Sequence, residues 1–582
     1  MARSGLLICT AVCLVLVTVM AIDITVENEY TKAFGTPGQQ YPWLEGKKLV
    51  EPFQNTEISI DKIANGAKYR FEILNDDGEV LNRLEGHHVG LTFEKVGNYL
   101  IRVTEELSNG EVTTDEHPAV CKYVRRELRT LFKHDREELL DAMSELWKVR
   151  DEEGQEKYGK EYTSIFSLLV YHLTLAGDRT CDHMHDGYGF MQHHSALSKL
   201  FERSLQAINP KLTLPYWDYI FDIEEWANTP EEERWDFTQG ELFTAEWFGR
   251  TDSETFYVED GRWAGLEVPL ITEVDEALRE STPRNAYGHM RAPWAANPDP
   301  HLMRAQTVCG QLSTVQEESA GRCSSLKSLW KQNTFEDFGH FISYLPHGRI
   351  HLLLGGAFGC EESLQSWHDI EEIKDAEWFD IDYAISLAFA MHKNLYRWGQ
   401  IECDVPDEPC YCPDFEDLLD SESNMKDFLM DALFELKLQR FSHETKKKVV
   451  ASLCKSGTIV GDNLQSSSSY SPEFWPIHGT VERMYQAKKL GYRGIPLLED
   501  ESYPEYGAGS WLVYHDYCEG HEASDPVLGG MSKVWVGEEA RELTNEEYLQ
   551  IMDPTRDTGL DYIYDHLSWD YCQDVFGVDI YN

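Results

Sequence analysis

Positive charge is what this chain has least of. Its 52 Lys and Arg stand against 102 Asp and Glu, a formal net charge of -50. A surface so acidic repels phosphate backbones and anionic lipid, which argues against nucleic acid or a charged membrane as partner. Long apolar runs are also missing after the first 21 residues, so no later stretch is expected to span a bilayer. No Asn-x-Ser/Thr sequon occurs, and N-glycosylation is not expected. Internal repeats and long low-complexity tracts are absent; Ser466 to Ser469 is a brief exception that reads as a loop.

What is present supports a folded, exported, multidomain protein. The 582 residues are 42% hydrophobic and 12% aromatic, ample core material for two or three domains. Residues 1–21 read as a signal peptide, with Arg3 followed by the apolar run Gly5–Ala21 and Val19-Met20-Ala21 preceding Ile22. An uncleaved anchor is the competing reading; cleavage would leave a secreted, extracellular or lumenal protein with no membrane attachment. Beyond Cys9 and Cys13 in that segment lie eleven cysteines, an odd number, so at least one is free, modified or paired between chains. Cys403, Cys410 and Cys412 in a Pro-rich stretch look like a disulfide-stapled loop, with zinc as the alternative.

Residues 22–118 alternate apolar and polar side chains between turns, as in Tyr69–Leu74, the Asn75-Asp76-Asp77-Gly78 turn and Asn98–Val103, and predict an all-β, sandwich-like domain. At Cys121 the period changes. Val124–Val149 predicts a pair of amphipathic helices, and helical patterns recur at 164–207, 378–397 and 425–455. Residues 501–582 form an acidic, Tyr-rich C-terminal extension without an evident motif.

Chemistry gathers on histidine. His347 and His351 are four residues apart, on one face of a helix. His185 begins a segment that runs through Phe190, His193 and His194 to Phe201-Glu202 and Pro215-Tyr216-Trp217-Asp218. A third segment reads Ser471-Pro472-Glu473-Phe474-Trp475-Pro476-Ile477-His478, with Glu482-Arg483 behind it. Imidazoles set in such apolar sequence are costly to bury without a partner. Clusters of them favour copper, zinc, iron or nickel over magnesium or calcium, and spacing alone does not choose among those.

Together these segments resemble the tyrosinase, catechol oxidase and molluscan hemocyanin family. Its first motif places Phe five residues and His nine residues after a His, with Phe-Glu further on, the register of His185, Phe190, His194 and Phe201-Glu202. Its second has His-x-x-x-His before Gly-Gly and a distant Pro-x-Phe-Trp-x-x-His, matched by His347, His351, Gly355-Gly356 and Pro472 to His478. Arg125 to Arg129 looks like the family domain's opening helix. The resemblance implies a mainly α-helical dicopper domain built on a four-helix bundle at 121–500, with an insertion at about 360–465. It implies that His172, His185 and His194 hold one copper and His347, His351 and His478 the other, with His172 resting on helical context alone. His183, His193 and His340 would be neighbours.

The implied activity uses two copper ions and dioxygen as co-substrate to oxidise catechols to ortho-quinones. Substrates would be small phenols or catechols, or tyrosyl and dopa side chains of proteins. An oxygen-binding hemocyanin-like protein and a catalytically inactive structural copper protein are the alternatives. Several positions depart from the family. Gly348 stands where many monophenol-hydroxylating members have Asn, Ser195 where Arg is common, and Ser471 where Asp is common. Glu336 and Asp337 are acids that would have to position water in the asparagine's place. Cys181, two residues before His183, leaves a thioether and a plain disulfide both open.

Overall fold

The structure is a computed structural model. It describes residues 21–581 apart from 39, 306–320, 357–364, 379–380, 382–387, 404, 407, 409, 414–437, 455–458, 504–516, 528, 537–538 and 558. All but the last residue of the expected signal peptide, the expected helical segments at 382–387 and 425–437, and Cys309 and Cys360 lie outside the described residues. The chain divides into two compact units, residues 1–39 with 44–123, and residues 40–43 with 124–582.

The first unit is β-rich, as its alternation predicts. Strands β1 (Ile24–Glu27), β3 (Asn55–Ile60) and β6 (His88–Thr92) form an antiparallel sheet in the order β1-β3-β6. Strands β2 (Lys48–Val50), β4 (Lys68–Asn75), β5 (Val80–Glu85), β7 (Gly97–Glu106) and β8 (Val112–Cys121) form a second sheet, ordered β2-β8-β7-β4-β5. Only the β2–β8 pair is parallel. Alternate residues of both sheets fill one core: Ile58 and Ile60 from the first, and Phe71, Ile73, Ile101 and Val103 from the second. Facing pairs Phe71–Val103 and Ile73–Ile101 fix the register, because a slip of one residue would turn them to solvent. The turn after β4 closes through the Gly78 N–H, which donates to the Asn75 carbonyl at 3.0 Å with Gly78 at φ 79°. Cys121 is buried and unpaired.

The second unit is mainly helical. Its elements include α1 (Lys133–Lys148), α2 (Ile165–Ala176), α3 (Phe190–Ile208), α4 (Phe335–Ile342), α5 (Gly348–Gly355), α6 (Ala388–Arg397) and α7 (Phe474–Lys489). A π-helical turn, Ser343–His347, joins α4 to α5. Helix α2 starts on Ser164, whose hydroxyl accepts the Ser167 N–H, and buries Ile165, Leu168, Leu169, His172, Leu173 and Ala176 along one stripe. Helix α7 is buried from Phe474 to Lys488, so it runs through the interior with no solvent face. Gly479 permits this: a Cβ there would lie 2.7 Å from the Pro215 carbonyl oxygen.

The residues between Val124 and Leu131 correct the expectation of a helix pair and of a family-like opening helix. Tyr123–Arg125 is extended and Leu128–Thr130 a single 3-10 turn, followed by one helix, α1. The reason lies in their partners. The backbone around Arg126 and Leu128 bonds to Tyr216 at 2.9 Å in both directions, and the Arg125 side chain is drawn inward. There Arg125 bonds Glu202 of α3 through two nitrogens, at 3.1 and 2.8 Å, and Glu482 of α7 at 3.0 Å, all three buried. Phe201 of α3 stacks on Trp475 of α7 with ring centroids 4.0 Å apart. Arg483 pairs with Asp218 at 3.0 Å. The Phe-Glu, Pro-Tyr-Trp-Asp and Glu-Arg motifs therefore clamp the helices together.

The segment between α5 and α7 has its own core, in which Trp367, Leu395, Val449 and Val450 pack with Trp294 and the half-cystines of Cys403–Cys410 and Cys412–Cys454. Disulfides Cys181–Cys518 and Cys323–Cys572 tie residues near the C-terminus to the helical region.

Arg125→Ala would leave Glu202 and Glu482 buried without their cation. We expect a loss of about 3–5 kcal/mol in chemical denaturation; a loss below about 1 kcal/mol would mean that the carboxylates find another partner.

Candidate metal centre

Six histidines converge inside the helical unit. His172 comes from α2, His194 from α3, His347 from the end of the π turn, His351 from one turn into α5, and His478 from α7; His185 lies in the loop before α3. They fall into two groups, His172 with His185 and His194, and His347 with His351 and His478, each having one ring nitrogen per residue within 4.8 Å of the others. Rings in the first group are 4.9–5.5 Å apart and in the second 4.4–5.9 Å. The groups adjoin, because His194 and His478 stack at 4.3 Å. Phe190 packs on His194 and His347, and Phe474 on His478 and His172, lining the centre with hydrocarbon.

Four backbone carbonyls settle how four of the six rings are protonated. His172 Nδ1 donates to Ser466 at 2.8 Å, His194 Nδ1 to Phe190 at 2.8 Å, His347 Nδ1 to Ser343 at 3.0 Å, and His351 Nδ1 to Asn463 at 2.6 Å. A carbonyl only accepts, so each Nδ1 carries the hydrogen and each Nε2 a bare lone pair. Burial, reinforced by neighbouring histidines, pushes His172 down to about 3, and burial pushes His351 down to about 4. His194, His347 and His478 are held well below the ordinary histidine range by burial first and by the adjacent rings second.

The result is a set of neutral nitrogen donors with nothing to donate to. His172 Nε2 and His194 Nε2 are buried without a hydrogen-bond partner. His347 Nε2 lies 2.8 Å from His351 Nε2 and 3.3 Å from His478 Nε2. With both Nδ1 atoms of the closer pair protonated, two lone pairs face each other and no proton lies between them. A cation reconciles that geometry, and clustered imidazoles suit a transition ion rather than magnesium or calcium.

Other expected neighbours lie elsewhere. His193, on α3, turns away and bonds the Gly189 carbonyl at 2.7 Å. His183 bonds the Glu519 carbonyl at 2.8 Å, and His340 is exposed on α4. Glu336 and Asp337 are also exposed, and Asp337 completes the N-terminal cap of α4 with Thr334, so neither acid orients a group at the centre. Cys181 is half of a disulfide with Cys518, which resolves the thioether question in favour of the disulfide.

Sequence reasoning missed the groups behind the six histidines. The stretch Asp462–Ser469, of which only Ser466 to Ser469 was read, as a loop, supplies the Asn463 and Ser466 carbonyls. A buried Arg291–Asp462 ion pair at 2.7 Å holds it, and Asp462 also accepts the Met303 N–H at 3.0 Å. Asp182, whose Oδ1 sits 3.1 Å from His185 Nδ1, was also missed. Its place three residues before His185 was the one available signal.

A family model, the common central domain of tyrosinase, matches residues 160–369. That span includes His172, His185, His194, His347 and His351 and ends before His478. No curated protein matches the chain.

The buried imidazoles make metal-free stability depend on pH. Unfolded, they titrate near 6.5; folded, His172 and His351 titrate near 3 and 4. Acid therefore protonates the unfolded chain first, so this stability is whole above about pH 6.5 and is lost progressively as pH falls toward 4. Calorimetry should show the metal-free melting temperature falling across that window, and a bound transition metal should raise the melting temperature without flattening the profile, because it keeps the same nitrogens free of protons. A flat profile for the metal-free protein would contradict the burial argument.

Proposed function

The chain belongs, through its domain at residues 160–369, to the tyrosinase family of type-3 copper proteins, and on that premise we propose that it is a secreted oxidase converting catechols to ortho-quinones with dioxygen. The observation that carries the proposal is the stacked pair of three-histidine groups. Two metals held there would be neighbours, as a two-electron oxidation requires. His172, His185 and His194 would hold one copper, and His347, His351 and His478 the other. When bound, such a copper pair couples the reduction of dioxygen to the oxidation of a phenolic substrate.

The chain's own residues supply the rest. The carbonyls of Ser466, Phe190, Ser343 and Asn463 hold four imidazoles in the tautomer that leaves Nε2 free, fixing ring orientation before any metal arrives. Phe190 and Phe474 exclude water from between the groups. His185, with 26% of its side chain exposed, marks the side from which a phenol ring would approach. Helices α2, α3, α5 and α7 are read as the family's four-helix bundle.

Gly348 presents no side chain next to His347, which supports catechol oxidation over monophenol hydroxylation. Small catechols, or dopa side chains of proteins, are the proposed substrates. Export is supported by four disulfides among the described residues, a bonding pattern of oxidising compartments. Among those residues no helix is long and apolar enough to cross a membrane.

Copper analysis and an oxygen electrode test the proposal together. We expect about two coppers per chain, oxygen uptake with a catechol, and markedly slower uptake with the matching monophenol. His194→Ala and His351→Ala should each lower copper content and abolish uptake. Full copper without catechol-dependent uptake would favour an oxygen-binding or structural role, and failure to bind copper would overturn the proposal.

A further inference from the structure

His185 is unlike the other five histidines. It alone sits in a loop outside any helix, and its 26% side-chain exposure compares with 8% or less for the remaining five residues. Four of those five are fixed by backbone carbonyls, whereas His185 Nδ1 meets a carboxylate, Asp182 Oδ1, at 3.1 Å. Asp182 is buried and tightly held. Its Oδ1 also accepts the backbone N–H groups of Met184 at 3.1 Å and His185 at 2.8 Å.

The other oxygen of Asp182 faces cations from outside the histidine motifs. Lys393 Nζ lies 2.8 Å from Asp182 Oδ2, and an Arg397 terminal nitrogen lies 3.5 Å from it. Lys393 also pairs with Asp186 at 2.6 Å, and Arg397 is 3.8 Å from Asp186. Asp186 follows His185 directly and takes a left-handed backbone, φ 57°. Arg397 is anchored in turn by the carbonyls of Ala176 at 2.7 Å and Asp178 at 3.1 Å, just past the end of α2. Two carboxylates and two cations thus make a formally neutral cluster around the metal loop. Both cations stand on α6, in the segment inserted between His351 and His478.

We propose that Lys393 and Arg397 are positioning residues for the first copper, acting through Asp182 on His185. This rests on the copper reading of the site. A carboxylate on Nδ1–H orients an imidazole and strengthens its Nε2 as a donor. Here it does so for the ligand that no helix holds. Without Lys393, Arg397 alone would face both Asp182 and Asp186, and their mutual repulsion would loosen the hold of Asp182 on His185. The inserted segment is therefore a working part of the metal centre.

The test follows each copper separately in the full-length protein loaded with copper. Loss to an excess of chelator is timed, and the electron paramagnetic resonance signal per copper is recorded, because two coupled copper(II) ions are silent and a lone one is visible. Asp182→Ala should release one copper at least about tenfold faster than wild type and leave a visible single copper(II). Asp182→Asn, which keeps an acceptor oxygen, should restore part of the retention. Lys393→Met should speed loss of the same copper, and Lys393→Arg should restore it. Both coppers staying at the wild-type rate in Asp182→Ala, or leaving together, would overturn the proposal. Wild-type loss from Lys393→Met would overturn the part given to α6. A wild-type chain that takes up no copper would instead overturn the reading of the site.

Discussion

A backbone carbonyl accepts a hydrogen bond and never gives one. Set at 2.6–3.0 Å from the Nδ1 atoms of His172, His194, His347 and His351, four such carbonyls force the hydrogen onto that nitrogen and leave Nε2 bare. The rest of the helical unit serves that arrangement. Two of the carbonyls belong to residues one turn before their histidine, Phe190 and Ser343, so helical geometry delivers them. The other two, Ser466 and Asn463, come from a loop that needs its own foundation, the buried Arg291–Asp462 pair. A weak loop would free His172 and His351 to rotate, and a rotated imidazole no longer aims its Nε2 into the centre.

The clamp between α3 and α7 has the same purpose at a larger scale. His194 and His478 stack at 4.3 Å only because their helices are held in register. Phe201 on Trp475, and Arg125 between Glu202 and Glu482, hold them there. Charge is buried at this junction at a real desolvation cost, and geometry rather than net stability is its clearest return.

Much of this was legible in the sequence and some was not, for identifiable reasons. Resemblance to the family's motifs singled out His185, His194, His347, His351 and His478, because motif register is a property of side chains in order, and helical context added His172. The β-rich first unit was legible from its alternation. The stretch Arg125–Arg129 misled, since its composition suits a helix while its partners, Tyr216, Glu202 and Glu482, are remote in sequence and pull it straight. Glu336 and Asp337 drew notice as acids, yet capping a helix is what acids in a first turn commonly do. The carbonyls of Ser466 and Asn463 left no trace, because a backbone acceptor is the same in every residue. Lys393 and Arg397 were invisible for a different reason: more than 200 residues separate them from the Asp182 they neutralise.

The disulfide from Cys181 to Cys518 joins the loop of His185 to a segment made 337 residues later. His521 then lies against that loop, its Nε2 2.7 Å from the Asp182 carbonyl, and Gly189 has no room for a Cβ beside the Gly520 carbonyl oxygen. Synthesis runs in one direction, so a nascent chain exposes the loop of His185 long before the piece that fastens it exists. A chain ending between His478 and Cys518 would carry all six clustered histidines and still lack that fastening. The Cys181–Cys518 bond can close only after Cys518 has been made, 337 residues behind the loop it fastens.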